Sequence, residues 1–201
     1  MRYGMLFDKT KCYGCNACTI ICKQRHGTAP KTLWSRVYEE EVGTYPNAHR
    51  EYTPAICMHC DNPSCVSVCP TKASYKRDDG IVLIDRDKCI GCRYCIITCP
   101  YEARFLDEGE DQSYYPGKEE TPIEVRHAGD YPKGTVSKCE LCYDRLDEGL
   151  EPACVAACPT GARVFGDLDD PSSKISRMIR ELDAKQLRPE LGNEPSVYYV
   201  G

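Results

Sequence analysis

The sequence predicts an α+β fold of two similar, intertwined units made of short helices, hairpins and long loops. Three observations predict it: sixteen cysteines in four groups of related spacing, few large apolar side chains, and turn signals between short strand-like segments. The 201 residues include only 3 Phe, 4 Met and 1 Trp, and the mean hydropathy is −0.52. A chain this poor in apolar bulk needs metals or disulfides to stabilise its interior.

Charge and hydropathy exclude several classes of protein. A net charge of −5 argues against nucleic acid as a ligand. No stretch reaches the roughly 18 consecutive apolar residues of a membrane helix, so we expect no direct membrane span. The residues before Cys12 lack the apolar run of a secretory signal peptide. We therefore expect a cytoplasmic location, or an extracytoplasmic, membrane-associated one reached by co-export with a signal-bearing partner.

The cysteines form four groups of four. Groups one and three share the spacing C-x2-C-x2-C-x3-C, group two reads C-x2-C-x4-C-x3-C, and group four reads C-x2-C-x11-C-x3-C. In bacterial ferredoxins with the first spacing, three thiolates hold one 4Fe–4S cluster and the fourth thiolate holds a second cluster. The sequence therefore predicts four 4Fe–4S clusters in pairs, with their iron held by all sixteen cysteines.

Two other uses of cysteine fit the spacing less well. Disulfide frameworks are typical of small secreted proteins, which carry signal peptides. Structural zinc sites favour two separated C-x2-C pairs, whereas groups one and three each place three cysteines within seven residues. His59 lies between Cys57 and Cys60, but the four cysteines of group two suffice without a histidine ligand.

The spacing also predicts local structure around each group. The x3 step before each fourth cysteine suits a short helix that begins inside the group. Pro70, Pro100 and Pro159 follow the last cysteine of groups two, three and four. Proline cannot continue a helix, so these helices are expected to end there. Gly14 and Gly91 are expected to let the chain curl tightly around an anionic core, together with Asn16.

The gaps between the groups indicate how they pair. Nineteen residues (70–88) separate groups two and three, against 34 (23–56) and 39 (100–138) for the outer gaps. Within the short gap, Asp79-Gly80 predicts a tight turn between two strands. We therefore predict an inner ferredoxin-like unit over residues 57–99 and an outer unit formed by residues 1–56 and 100–170. A C-terminal helix and tail would occupy residues 171–201.

Exchange of the fourth cysteine within each pair of groups gives four sites. Site 1 comprises Cys12, Cys15, Cys18 and Cys158, and site 2 comprises Cys22, Cys139, Cys142 and Cys154. Site 3 comprises Cys57, Cys60, Cys65 and Cys99, and site 4 comprises Cys69, Cys89, Cys92 and Cys95. A tandem pairing, group one with group two and group three with group four, stays open.

The four-group arrangement resembles the iron–sulfur (beta) subunit of the dimethyl sulfoxide reductase, or molybdopterin oxidoreductase, family over residues 1–170. The features that carry the resemblance are the spacing of group two with its proline, Lys23 after group one, and the opening of group four, Cys139-Glu-Leu-Cys142-Tyr-Asp-Arg145. It implies a molybdopterin-containing catalytic partner with Mo or W, and the same outer-with-outer, inner-with-inner ligation. Some relatives replace a cysteine of group three by Trp and carry a 3Fe–4S centre, but Cys92 is present here.

These observations predict an electron-transfer subunit of a respiratory or anaerobic oxidoreductase complex. The sequence contains no recognisable nucleophile with a base and no paired catalytic acids, so substrate chemistry is expected on a partner chain. A membrane anchor subunit or a quinone-linked donor would be a further partner. Two alternatives stay open: the iron–sulfur subunit of a formate dehydrogenase or hydrogenase complex, and a free-standing polyferredoxin.

The segments between the cysteine groups carry weaker signals. Arg36–Glu39 resembles a strand, and residues 101–138 predict a long loop with short strands that could serve for docking. A helix is predicted to open at Asp170-Pro171, with an apolar stripe on the protein's own core. The tail that ends at Val197–Val200 lacks helical spacing and is expected to lie along a partner. The stripe consists of Ile175, Met178, Ile179 and Leu182.

Four basic residues lie within or beside the cysteine groups. Positive charge close to a cluster would favour the reduced form, although solvated surface charge is the simpler interpretation of any one of them. They are Lys23, Arg93, Lys138 and Arg145.

Overall fold

The fold, seen in a computed structural model that describes residues 1–108 and 113–201, consists of short strands and helices. The strands are β1 Tyr3–Asp8, β2 Arg36–Val42, β3 His49–Ala55, β4 Ser74–Lys76, β5 Val82–Ile84, β6 Phe105–Leu106, β7 Val136–Ser137, β8 Arg163–Asp167, β9 Lys185–Gln186 and β10 Val197–Val200. The helices are α1 Ala17–His26, α2 Ser64–Ser67, α3 Tyr94–Ile97, α4 Pro122–Arg126, α5 Tyr143–Asp147, α6 Ala153–Ala156 and α7 Lys174–Glu181. The predicted α+β class is confirmed.

A four-stranded sheet joins the two ends of the chain. Its strand order is β8-β1-β10-β9, with β1 antiparallel to β8 and parallel to β10. Met5 of β1 lies beside Phe165 on one side and Val197 on the other. Because β1 is a central strand with both faces covered, its apolar residues form a continuous buried run.

The two faces of this sheet have different partners. Leu6 packs with Val164 of β8 and Ile175 of α7 in a small apolar cluster. Met5 and Phe7 point to the opposite face, because successive side chains of a strand alternate, and belong to the main hydrophobic cluster that contains the buried cysteines. The sheet therefore separates α7 from the cysteine-rich half of the molecule.

Three hairpins complete the strand pairing: β2 with β3, β4 with β5, and β6 with β7. The hairpin predicted at Asp79-Gly80 is confirmed, since Ser74 of β4 pairs with Ile84 of β5. Gly80 has a φ of +84° in the turn, a conformation that glycine adopts without steric cost. The strand predicted over Arg36–Glu39 is confirmed as the first part of β2.

The C-terminal region differs from the prediction in two respects. α7 begins at Lys174 rather than at Asp170-Pro171, because the Ser173 hydroxyl accepts the backbone N–H of Ser176 at 3.2 Å. Asp170 instead accepts the N–H of Ser172 at 2.8 Å in the preceding turn. The prediction that the tail lies along a partner is wrong, because β10 pairs with β1 inside the sheet.

The apolar stripe of α7 packs against the chain's own core, as predicted, through Ile175, Met178 and Ile179. Leu182, the last predicted member of the stripe, caps the helix and is exposed. None of the described helices is long and apolar enough to cross a membrane.

The predicted long loop over residues 101–138 contains the strands β6 and β7 and the helix α4. Thr121 caps α4, and Glu124 returns the contact by accepting the N–H of Thr121. Residues 109–112 of this loop lie outside the described residues. The division of the chain into an inner unit, an outer unit and a C-terminal segment stays a prediction.

Candidate metal centres

A short helix carries the third cysteine of every group, as the spacing predicts. α2, α3 and α6 are each four residues long and end two residues before the cysteine that precedes a proline. α1 contains the third and fourth cysteines of group one and continues to His26, because Lys23 rather than proline follows Cys22. The residue that follows the last cysteine, proline or lysine, therefore determines how far each helix extends.

The first C-x2-C step of every group contains the same backbone turn. The second intervening residue has a positive φ in all four groups: Gly14 at +74°, His59 at +41°, Gly91 at +64° and Leu141 at +55°. Only groups one and three use glycine, for which this conformation is free of strain. The predicted tight curl at Gly14 and Gly91 is confirmed, and His59 and Leu141 adopt it in spite of their side chains.

Three cavities are each surrounded by four cysteines from two different groups. Each volume is the whole space between the protein atoms at that site, including the part that is open to solvent. The cavity of site 1 measures about 340 Å³ and is lined by Cys12, Cys15, Cys18 and Cys158. That of site 2 measures about 320 Å³ and is lined by Cys22, Cys139, Cys142 and Cys154. That of site 4 measures about 320 Å³ and is lined by Cys69, Cys89, Cys92 and Cys95.

The cysteines of site 3 are neighbours in the same way. Burial raises the pKa of the Cys60 thiol. The neighbouring thiols that raise it further are those of Cys57, Cys65 and Cys99. The structure thus brings together the same four sets of cysteines that the exchange between paired groups predicts.

The four sites follow one another in space. Cys18 of site 1 lies near Cys154 of site 2, and Cys139 of site 2 lies near Cys57 of site 3. Sites 3 and 4 meet at Arg104, whose guanidinium lies close to the thiols of both. The order along the protein is therefore 1, 2, 3, 4.

The solvent exposure of the cysteines differs between the ends and the middle of this row of sites. Cys15 of site 1 and Cys92 of site 4 are exposed, whereas all four cysteines of site 2 are buried. Ile20 and Tyr13 are exposed beside site 1. Next to Cys92 lies an exposed apolar patch that we call the site 4 rim, formed by Ile90, Tyr94 and Ile97.

The buried cations beside these sites indicate whether an anionic group fits there. Arg163 is 3% exposed and lines the cavity of site 1. Within the described part of the chain, its two terminal nitrogens have no hydrogen-bond partner. A buried, unpaired guanidinium is costly unless negative charge lies next to it. A 4Fe–4S cluster with four thiolate ligands supplies that charge, so the donor set and the unpaired cation both fit it.

His59 provides a second indication at site 3. Its Nδ1 accepts the N–H of Val82 at 3.1 Å, so the proton of the neutral ring lies on Nε2. Nε2 is buried without a partner among the described residues. A buried donor that lacks an acceptor costs about 1–3 kcal/mol, and sulfur of a cluster at site 3 would relieve it.

The basic residues singled out from the sequence have different surroundings. Arg93 is exposed. Nζ of Lys23 donates to the carbonyl of Ala29 at 2.7 Å, so this side chain holds the following loop. Arg145 donates to the carbonyl of Glu151 at 2.8 Å. Lys138 alone of the four is fully buried, at 1% exposed.

Sequence reasoning missed Arg104 and Arg163. Both follow the last cysteine of their group by five residues, in the repeated sequence Cys-Pro-x-x-Ala-Arg. This repeat in groups three and four is the signal that could have identified them. Group two carries Ser74 at the same position.

Alanine substitutions at two glycines, Gly91 and Gly161, test how tightly the loop of site 4 is packed. A Cβ at Gly91 would lie 2.0 Å from the carbonyl oxygen of Gly134, whereas a Cβ at Gly161 would meet nothing within 4 Å, and both residues have a φ of +64°. We expect Gly161→Ala to cost only the backbone strain of about 1 kcal/mol. Gly91→Ala should cost more and lower the iron content, because it also displaces the backbone that leads to the N–H of Val136, which donates to Cys89.

Unfolding by urea and iron analysis of the two alanine variants measure this difference. Because the two glycines share the same φ, backbone strain cancels in the comparison. Equal stability and equal iron content in the two variants would show that the Gly91 loop is free to move.

Comparison with known proteins agrees with this geometry. The sequence profile of a 4Fe–4S dicluster domain matches residues 48–115 and 117–168, and a second profile of the same description matches residues 11–73. A selenate reductase subunit of Mesobacillus selenatarsenatis is 42% identical over 210 residues, which cover 100% of this chain and 72% of that protein. The arsenate respiratory reductase iron–sulfur subunit of Shewanella sp. is 41% identical over 225 residues, covering 100% and 96%.

A third relative, from the polysulfide reductase of Wolinella succinogenes, is 38% identical over 206 residues, which cover 99% of this chain and 94% of that protein. Identity of this level over the full chain, with the sixteen cysteines in four groups, identifies the family. Two dicluster domains imply four 4Fe–4S clusters. The chain therefore belongs to the 4Fe–4S dicluster family of iron–sulfur electron-transfer subunits of dimethyl sulfoxide reductase-type oxidoreductases.

Proposed function

We propose that this chain relays electrons through four 4Fe–4S clusters between a molybdopterin-containing catalytic subunit and a second redox partner of an anaerobic respiratory complex. The observation that carries the proposal is the row of four cysteine-lined sites with exposed cysteines only at its two ends. When bound, a 4Fe–4S cluster accepts and releases single electrons at a potential set by charge, hydrogen bonds and burial. The protein binds the clusters, orders them and excludes water from site 2.

The proposal includes the ligand sets of sites 1 to 4 as defined above. Each set combines three cysteines of one group with the last cysteine of its partner group. The cavities at sites 1, 2 and 4 support this assignment, and the neighbours of Cys60 support it at site 3. The tandem alternative would need Cys22 beside group two, whereas Cys22 lies with three cysteines of group four.

We also infer that the two ferredoxin-like units are intertwined. The outer unit draws its cysteines from both ends of the chain, and the inner unit lies between them in sequence. The pairing of β1 with β8 and β10 supports this arrangement, because it joins the two ends beside the cysteine-rich half.

Substrate chemistry would belong to the catalytic partner, and a membrane anchor or quinone-linked subunit would be the second partner. The relatives named as subunits of selenate reductase and of arsenate respiratory reductase support a complex of several chains.

Anaerobic purification of the native complex tests the proposal. About sixteen irons per chain, as four 4Fe–4S clusters require, should co-elute with a larger subunit that contains molybdenum or tungsten. The same iron in a solitary chain would favour a polyferredoxin instead. Zinc in place of iron would contradict electron transfer altogether.

The site 4 rim should be a docking surface for one of the two partners, because it surrounds the exposed Cys92. Ile97 is 79% exposed at the end of α3, and Leu182 is 44% exposed at the end of α7, which the four-stranded sheet separates from the cysteine-rich half. We expect Ile97→Asp to weaken binding of that partner by about tenfold or more, since an unpaired carboxylate would be buried on docking. Iron content should stay unchanged.

Leu182→Asp is the matched control, because it adds the same charge to another exposed apolar position, away from the cysteine sites. Binding measured by co-purification at increasing dilution separates the two variants. Unchanged binding in Ile97→Asp would show that the partner docks elsewhere.

A further inference from the structure

We propose that each gap between consecutive clusters contains one buried cation, Arg163, Lys138 or Arg104, which raises the reduction potential of the two clusters beside it. The inference rests on the proposed function, because it requires clusters at sites 1 to 4. Its basis is the position of three charged side chains that have almost no access to water. They are 3%, 1% and 4% exposed, in the order given.

Arg104 occupies the gap between sites 3 and 4. Its Nη2 donates to Sγ of Cys65, a site 3 cysteine, at 2.9 Å. The same guanidinium lies against Cys95, a site 4 cysteine. Its Nη1 donates to Oγ of Ser74 at 2.8 Å, and Ser74 lines the cavity of site 4. One planar group therefore faces a thiol of each site.

Arg163 occupies the equivalent gap between sites 1 and 2. Its side chain lines the cavity of site 1 and lies close to Cys154 of site 2. The guanidinium is stacked over the ring of Phe7, with 4.7 Å from Cζ to the ring centroid, which fixes its plane. Within the described residues neither terminal nitrogen has a partner of good hydrogen-bond geometry, and the thiol next to the guanidinium is that of Cys154, so both nitrogens can donate to sulfur.

Lys138 occupies the middle gap, between sites 2 and 3. Its Nζ donates to the carbonyl of Cys139, a site 2 cysteine, at 2.7 Å and also to the carbonyl of Val82. The N–H of Val82 in turn donates to His59, which lies between two cysteines of site 3. The ammonium is near enough to Cys65 and His59 of group two to act on their charge.

A repeated turn places Arg104 and Arg163 in their gaps. Lys72, Glu102 and Gly161 lie three residues after the last cysteine of groups two, three and four, and all have positive φ. Their N–H groups bond back to the carbonyls of those cysteines. The turn places the residue two positions later at the gap. In the inner pair this residue is Arg104 from one group and Ser74 from the other, and serine accepts a hydrogen bond where a second arginine would repel.

The physical effect follows from the charge of the sites. Four thiolates make each cluster site anionic, and reduction adds a further negative charge. In a buried region this charge is weakly screened, so a neighbouring cation stabilises the reduced form strongly. A cation between two clusters does so for both, and it also weakens the repulsion between them when both are reduced. The exposed Arg93 follows Cys92 directly but should have little effect, since water screens it.

Potentiometric titration of the anaerobic complex, followed by electron paramagnetic resonance, tests the inference. We expect Arg104→Gln to lower the equilibrium constant for reduction at sites 3 and 4 by about tenfold or more, which is about 59 mV for a one-electron couple. Sites 1 and 2 should be unchanged. Arg163→Gln should lower the reduction potentials of sites 1 and 2 alone, and Lys138→Met should lower those of sites 2 and 3. Arg93→Gln is the matched control, with the same charge lost at an exposed position.

Charge-preserving variants separate electrostatics from packing. Arg104→Lys and Arg163→Lys should retain the iron and keep potentials close to those of the native protein. The inference is overturned if the glutamine variants keep about sixteen irons and native potentials, or if Arg93→Gln has an equal effect. If the glutamine variants lose iron, retention of iron in the lysine variants supports the inference, and its loss there overturns it. Native protein that binds no iron would instead contradict the proposed function.

Discussion

Removal of iron by a chelator under reducing conditions will unfold most of this chain. Seven of its cysteines are buried, and five of these belong to the main hydrophobic cluster. Without clusters, the cavities of sites 1, 2 and 4 have no group to fill them. Structural zinc sites contribute about 10–16 kcal/mol in small peptides, where metal binding and folding are one process. A native domain is stable by only about 5–15 kcal/mol, so loss of four clusters exceeds what the remaining core can supply.

Trp34 provides a specific probe of this unfolding, since it is the single tryptophan of the chain. It is 1% exposed, its ring centroid lies 4.9 Å from that of His26, and His26 lies 3.5 Å from Sγ of Cys142 in site 2. Iron removal should shift its emission to that of a solvated indole and reduce the far-ultraviolet circular dichroism.

A sample carried through the same steps without chelator is the control for iron removal. The sheet around β1 is the part best able to persist, because Leu6, Val164 and Ile175 pack without cysteine. Native-like circular dichroism and a buried Trp34 in the iron-free chain would show that side-chain packing alone specifies the fold.

The elements that hold the cysteines could be predicted because their signals are local. Proline after the last cysteine stops α2, α3 and α6, and its replacement by Lys23 lets α1 continue. The turn at Gly80 needs only its own sequence and the strand residues on either side. In each case the deciding residue lies within a few positions of the feature that it controls.

The pairing of β10 with β1 could not be predicted in this way. Val197 lies beside Met5 although nearly the whole chain separates them, and no local feature of the tail distinguishes a sheet strand from a docking segment. The start of α7 was misplaced for a related reason. Asp170 and Ser173 are both good caps, and the contact of the Ser173 hydroxyl with the carbonyl of Asp167 at the end of β8 favours the second.

The candidate sites show the same contrast between features that local sequence determines and features that depend on the whole fold. Gap lengths between the groups, together with the ferredoxin spacing, favoured the four sets of cysteines that lie together in the structure, but they left a tandem pairing open. The charges around these cysteines could not be predicted in this way. Arg93 is adjacent to Cys92 in sequence but is exposed. Arg104 follows Cys99 by five residues and contacts Cys65. Burial of a side chain depends on the whole fold, and sequence distance to a ligand does not report it.

Loss of one cysteine in the middle of the row should stop electron transfer between the two partners. Cys154 is buried on α6 and belongs to site 2, between sites 1 and 3. In Cys154→Ala, site 2 lacks a ligand, so we expect iron to fall below about sixteen per chain and turnover of the complex to fall to background. A small reductant should still reduce the remaining sites.

Two comparison variants make this result specific to the middle of the row. Val155→Ala changes the neighbouring residue of the same helix and should keep both iron and turnover. Cys92→Ala removes a ligand at the exposed end, so electrons that enter at site 1 should still reach site 3. Full turnover of Cys154→Ala with an incomplete site 2 would mean that electrons bypass it, and the linear order of the sites would then be wrong. Because site 2 alone has four buried cysteines, no partner can replace it by direct contact, and this variant therefore tests the relay more severely than any change at the ends.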